Sequence, residues 1–244
     1  MATLYTYDTI LGEVQDALVR LGLPKPNGVY DSQDENAILM GSMANEIGPM
    51  LLDIYSWQQF RYEFEVVGDS VETAFDLPAN FDRFIDNTGW SHANRRPVII
   101  VNAQSWASVR AWVSKSFFIN PACRIFNDQL QFMTPPALNE SITFEYMSRN
   151  WVIDGITPNT LKSKLNANSD QPMHDSVLFT QALRIKWLEQ KGMNTTAVQQ
   201  DFNERFSELT RRNLMAQTLS LNSGGLSGFR YLDGVNMPDT GYGV

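Results

Sequence analysis

Apolar positions along this chain change their period twice, dividing it into a helical stretch, a strand-like block and a second helical stretch. From Asp8 or Thr9, the residues Ile10, Val14, Leu18 and Leu21 recur at the spacing of one helix face, and Gly22 with Pro24 supplies a stop. Ser32 followed by Glu35 has the form of a capping box. Beyond it Ile38, Met43, Ile47, Leu51 and Ile54 mark the inward stripe of a longer helix, which Gly48-Pro49 is expected to kink. At Arg61 the period becomes two. Tyr62, Phe64 and Val66 alternate with Arg61, Glu63 and Glu65, as a half-buried strand requires. Further strands are predicted over 98–101, 123–126, 129–133 and 142–147, with Asn127-Asp128 as a tight turn and Pro135-Pro136 as a local break. Trp106, Val109 and Trp112, three apart, predict a short helix within the block.

Residues 157–172 read as a polar linker. Asp175 then caps a helix carrying Val177, Leu178, Ala182, Ile185 and Leu188, ended by Gly192. Thr195 or Thr196 caps another, with Val198, Phe202, Phe206 and Leu209 inward and Gln199, Glu204, Glu208 and Arg211 outward. So short a connection predicts an antiparallel hairpin. Neither helical pair can bury its apolar stripe alone, so the two ends of the chain are expected to pack on each other around an inserted β unit. The expectation is an α+β protein: N-terminal helices over 1–60, an inserted β domain over 61–156, a helical hairpin over 173–220 and an extended arm over 221–244. The arm is Gly-rich, with Gly224, Gly225, Gly228 and Gly234 denying it regular structure. Leu226, Phe229, Arg230, Tyr231, Leu232 and Tyr242 are left as anchors for a partner against which it would order.

Composition narrows the function. At 244 residues and 43% hydrophobic the chain has ample material for a core. Its net charge of −8 argues against gripping phosphate through a basic surface. The acidity belongs to residues 1–60, where two cations face eight carboxylates, while 152–244 is balanced. One cysteine, Cys123, excludes an intrachain disulfide framework and cysteine-rich zinc sites. The start of the chain lacks a basic region followed by an apolar run, and 97–101 is too short to span a bilayer, so a cytosolic product without a membrane anchor is expected.

Candidate chemistry is sparse. His92 and His174 both sit in polar, turn-like sequence and read as solvated, outside any HExxH arrangement. Cys123 opens a predicted strand, where a buried inert thiol is expected. Asp31 to Asn36 has the acidity of a calcium loop, but Gln33 and Asn36 stand where that loop wants a ligand and a glycine, so helix capping accounts for it. Gly224 to Gly228 resembles half a nucleophile elbow without its second glycine or its strand-turn-helix setting. Glu63, Glu65, Asp69, Glu72, Asp76, Asp82 and Asp86 read as solvated charge on a β face and its loops, not as a glycosidase pair. The six tryptophans read as core and interface anchors, with a stacking platform as the other use. No cofactor and no metal are expected.

Several segments resemble the head-to-tail adaptor (head completion, or tail accessory) family of short-tailed bacteriophages. They are Phe75 to Trp90 (FDLPANFDRFIDNTGW), Arg95 to Pro97, Ser105-Trp106, Arg124 to Phe126, Leu130 to Pro135, Ile142 to Trp151 (ITFEYMSRNW), and Ala182 to Trp187 with Lys191-Gly192. The resemblance spans about residues 60 to 215 and rests on no catalytic signature. It implies a virion protein of the neck, made in the host bacterial cytoplasm. Twelve copies would form a ring beneath the portal protein, with the arm (Leu226, Phe229, Arg230, Tyr231, Leu232 and Tyr242) reaching along the portal. The lower surface would receive a tail tube or nozzle protein. DNA would pass through the bore without specific binding, which an acidic chain suits. The competing readings are a tail-associated receptor- or carbohydrate-binding module using the β block and its tryptophans, and a hydrolase.

Overall fold

Thr9 sets the first helix. Its hydroxyl accepts the Gly12 amide at 3.3 Å, and α1 (Ile10–Arg20) runs from there until Gly22 takes a positive φ of 76°. The computed structural model describes residues 7–111, 121–157 and 159–213. Helix α2 (Glu35–Ile54) is capped by Asp34 and not by Ser32. The Asp34 carboxylate accepts the Asn36 amide at 3.0 Å, while the Ser32 hydroxyl is used two residues on, by the Asp34 amide. Of the expected α2 stripe, Met43, Ile47 and Leu51 are buried, while Ile38 and Ile54 near the two ends face solvent. Its buried side is Ala37, Met40, Gly41, Met43, Ala44, Ile47, Gly48, Leu51 and Leu52, so small residues that admit neighbours closely are interleaved with the large ones. A Cβ on Gly41 would crowd Val29, and one on Gly48 would enter the Trp151 indole. The helix continues through Pro49.

A single 3-10 turn (Gln58–Phe60) leads into the β domain. Its strands are β1 (Arg61–Val67), β2 (Ala74–Asp76), β3 (Phe81–Phe84), β4 (Trp90–Ser91), β5 (Arg96–Pro97), β6 (Ile99–Ile100), β7 (Ala122–Phe126), β8 (Gln129–Phe132) and β9 (Ser141–Ser148), with helix α3 (Ala103–Ala111) between β6 and β7. One sheet runs β1-β9-β4-β5 with β3 also on β9, and a second runs β2-β8-β7-β6. Val66 lies opposite Ile142 and Phe64 opposite Phe144, so the period-two stripe of β1 meets the apolar face of β9. Asn127 and Asp128 both take positive φ, 53° and 57°, as a two-residue hairpin turn between β7 and β8 demands. Val66, Phe84, Cys123, Leu130, Phe132, Ile142, Phe144 and Tyr146 make the core of this domain.

The chain returns to the helices at Trp151. Strands β10 (Val152–Ile153), β11 (Leu161–Lys162) and β12 (Gln171–Pro172) form a small sheet in the order β11-β10-β12. Thus the segment read as a linker is part of the folded body. Its polar groups bond the rest of the body: Asn168 Oδ1 accepts the Val29 and Tyr30 amides, Asn45 pairs with both the amide and the carbonyl of Leu165, and Ile10 donates its amide to the Asp170 carbonyl. The Asp170 carboxylate, wholly buried, accepts the amides of Gly155, Asn166 and Ala167 and pairs with Lys162 at 2.7 Å. These bonds hold Asp170 below the usual carboxylate range although burial acts the other way.

Helices α4 (Ser176–Gln190) and α5 (Thr196–Asn213) form a hairpin across Gly192, whose φ is 66°. Asp175 caps α4 by accepting the Leu178 amide, and the carboxamide of Asn194, ahead of either threonine, accepts the Thr196 amide at the start of α5. Val177 points outward, since α4 is buried over most of its circumference by α1, α2 and α5 and leaves only a narrow solvent strip. The second core joins both chain ends, from Ile10, Val14, Met40 and Leu51 to Phe179, Leu183 and Leu209, with Trp57, Phe60, Met147 and Trp151 at the joint to the β domain. The fold is α+β. Among the described residues no helix is long and apolar enough to cross a membrane.

Gly48→Ala is expected to destabilise the protein by on the order of 3 kcal/mol, because Trp151 is pinned by its own hydrogen bond and cannot retreat from the added methyl. Urea unfolding measures this. An unchanged midpoint would mean that the helix and the indole separate without loss.

Candidate functional site

Ionisable and hydroxylic side chains converge most densely at the N-terminal end of α4. Met173 ties β12 into its sheet through its amide on the Trp151 carbonyl, and the next four positions carry His174, Asp175, Ser176 and Val177. The chain turning into a helix there throws His174 inward. Its ring, 1% exposed, is enclosed by Phe60, Trp151 and Phe179, and is parallel to the last at a centroid distance of 6.0 Å. Nε2 lies 3.1 Å from the Gly48 carbonyl, which can only accept, so the hydrogen is on Nε2. Burial drives the imidazole down to about 3. The solvated histidine expected from sequence is therefore a neutral core residue, because the helix cap at Asp175 fixes its direction.

Asp175 does two jobs. Besides capping α4 it receives Arg205 of α5 in a two-pronged pair, at 2.7 Å and 3.1 Å, and Arg205 also reaches Glu208. On the opposite side of the cap stands Glu13 of α1, 2% exposed, with Oε1 at 2.8 Å from the Ser176 hydroxyl and Oε2 at 3.0 Å from that of Thr180. Burial pushes its carboxyl up to about 8, and the nearby acids Asp8 and Asp175 add to the effect. The cluster thus joins α1, α4 and α5.

Its geometry does not make a nucleophile relay. Ser176 bonds Glu13 and Asp8, His174 bonds a backbone carbonyl, and the cavity bounded by Trp57, Gln59, His174, Asp175, Leu178 and Leu209 is about 10 Å³, room for one water. Gln59 lines it with a buried carbonyl oxygen that has no protein partner. Among the described residues no group of three or more His, Cys, Asp or Glu side chains could hold a metal ion.

The other sequence candidates lie apart. His92 is exposed on the outer face of β4's sheet, 3.1 Å from the Thr143 hydroxyl. Cys123 is buried, and burial pushes its thiol up to about 12, so it is inert. The carboxylates Glu63, Glu65, Asp69, Glu72, Asp76, Asp82 and Asp86 are all exposed. Trp57, Trp106, Trp151 and Trp187 are buried, so they form no platform. Leu226, Phe229, Arg230, Tyr231, Leu232 and Tyr242, together with the glycines of 224–228, lie outside the described residues.

A different kind of feature stands at one end of the β domain. The turn after β1 is laced to the chain before β9 through Gly68 to Glu140, Ser70 to Pro136 and Asn139 to Gly68 backbone bonds. Buried Glu140 braces it by accepting Ser91, Asn94 and the Ala137 amide. This hydrogen-bonded tip presents Val71 at 80% and Leu138 at 68% exposure, and Val67 at the end of β1 is exposed too.

Sequence periodicity held a signal for Glu13 that the apolar count passes over. Position 13 falls with Ile10 and Ala17 on the buried side of α1, so a carboxylate there is a core residue. No known family model and no curated protein matches the chain.

Because the folded protein binds fewer protons than the unfolded chain below the ordinary histidine range, stability is expected to fall as pH drops from about 6.5 towards about 3 through His174. Thermal midpoints of His174→Phe should fall less than those of the natural chain over that window. Parallel curves would show that the imidazole does not titrate with unfolding.

Proposed function

We propose that the chain is a non-enzymatic head-to-tail adaptor of a bacteriophage virion, one subunit of a ring beneath the portal that joins capsid to tail around the DNA channel. The observation that carries this reading is where the adaptor-like segments fall. Phe75, Phe81, Phe84, Phe132 and Phe144 fill the β core, Arg124 stacks on Trp106 and Phe126, and Trp151 with Ala182 to Trp187 packs the helical body. A likeness concentrated in packing residues describes a protein used for its shape and surfaces. The apolar tip at Val71 and Leu138 supports contacts with other chains. The net charge of −8 suits a wall past which DNA slides.

In this reading the partners are the portal protein, a tail tube or nozzle protein and eleven further copies, with no membrane and no cofactor. The arm carries the portal joint through Leu226, Phe229, Arg230, Tyr231, Leu232 and Tyr242, because spaced aromatics and an arginine are the side chains that dominate binding interfaces. Individually small contacts leave the free subunit monomeric, and avidity on the portal closes the ring. Burial of four tryptophans in the folded body counts against the carbohydrate-binding alternative.

Negative-stain images of the purified chain mixed with its portal should gain a ring of density below the portal. Deletion of residues 222–244 should abolish that ring while leaving the thermal midpoint of the remainder nearly unchanged. Docking of the shortened protein at undiminished affinity would overturn the assignment of the joint to the arm. The absence of any ring with the full chain would overturn the adaptor reading.

A further inference from the structure

We propose that copies of this chain meet head to tail through two helix faces of opposite charge, a donor strip on α4 of one copy seated on the acidic outer ridge of α2 of the next. Val177, Gln181, Arg184 and the cap residue Lys191 recur at the spacing of one helix face, on the part of α4 that α1, α2 and α5 leave open. Gln181 and Arg184 are half-buried, and Val177 and Lys191 are exposed. No acidic residue interrupts the strip.

Three polar atoms there lack a partner. Arg184 Nε, Gln181 Oε1 and the indole nitrogen of Trp187, a residue 8% exposed and three positions on from Arg184, are enclosed without a hydrogen bond. Among the described residues Arg184 also forms no ion pair, whereas Lys162, Lys186 and Arg205 of the same body each hold a carboxylate. An enclosed donor that has lost water and gained nothing costs stability, so its presence calls for a group that comes to it. Lys191, over the Trp187 ring at 5.8 Å, adds a second cation. Two cations and an indole N–H along one face suit carboxylates.

The chain carries its excess acid on a face that can supply them. Residues 1–60 hold eight carboxylates against two cations, and the outward positions of α2, Glu35, Ile38, Ser42, Glu46, Pro49 and Asp53, follow one helix face with no cation among them. Glu46 and Asp53 touch Lys186 and Arg83 of their own copy yet stay 63% and 74% exposed. At 1.5 Å per residue the strip is about 21 Å long and the ridge about 27 Å, so the two can lie side by side. Exposed Val177 and Ile38 give each an aliphatic side chain to bury. A copy cannot use its own ridge, because Lys186, which reaches α2, stands two positions from Arg184 and so about 200° around the helix. Each copy therefore offers one strip and one ridge to two different neighbours, the repeated heterologous contact from which a ring closes. Only the ring rests on the adaptor reading; the contact stands on the charges and the unpartnered donors.

The full chain tests this without a portal. A contact of this size is weak, so association is sought at about 1 mM. There sedimentation equilibrium should give a mean mass above the 27.7 kDa of one chain, falling back when salt screens the charges. The Trp187 indole N–H resonance should move with the same dependence on concentration and salt. A mass that stays at one chain, with an indole signal that does not move, would overturn the proposal with no variant needed. Arg184→Glu with Lys191→Glu, and separately Glu35→Lys with Glu46→Lys, should each be monomeric alone and associate when mixed, because opposite charges then meet again. Association of either variant alone as strong as that of the natural chain would place the contact elsewhere and overturn the assignment. Failure of these measurements removes the contact between copies and leaves the adaptor reading to the portal images.

Discussion

The close seating of Trp151 against the bare backbone of Gly48 is the contact on which the rest of the protein depends. Trp151 stands where the chain leaves the β domain and re-enters the helical body, and it is wholly buried. Its indole donates to the Ser163 carbonyl, its own carbonyl accepts the Met173 amide, and its ring lies beside those of His174 and Phe179. One side chain therefore fixes α2, the small three-stranded sheet and the start of α4 together. Only a residue without a Cβ at position 48 leaves room for it.

Around that contact, irregular backbone is held by buried and half-buried polar groups that bond it. Asn168, Asn45 and Asp170 satisfy loop amides that no ladder reaches, and Glu140 does the same at the far tip of the β domain. Each is a fully bonded group, so it orders its loop without the penalty of an unpaired buried donor or acceptor. The two cores meet at Arg83 and Met147, since Arg83 of β3 reaches the Leu52 carbonyl at the end of α2 while Met147 of β9 enters the helical core.

Among the buried ionisable groups of the helical body, burial holds His174 below and Glu13 above its ordinary range, and the cavity beside His174 holds no more than a water. Val67, Val71 and Leu138 are exposed apolar groups on the tip that Glu140 braces.

The sequence by itself determined the elements whose signals are local. Thr9 and Asp175 as caps, the alternation of Arg61 to Val66, and the turn at Asn127-Asp128 follow from hydrogen bonds and dihedrals within a few residues. The tertiary structure alone decided what distant residues supply. Residues 157–172 look like a linker because they are polar, yet they fold because Asn168 bonds Val29 and Tyr30, more than a hundred positions earlier. His174 looks solvated until Phe60, Trp151 and Phe179 close around it, and the inward face of α2 is drawn by small residues whose value appears only when Trp151 arrives. Periodicity reports which way a side chain points from its own element; whether it meets water or a partner depends on what the remainder of the chain brings there.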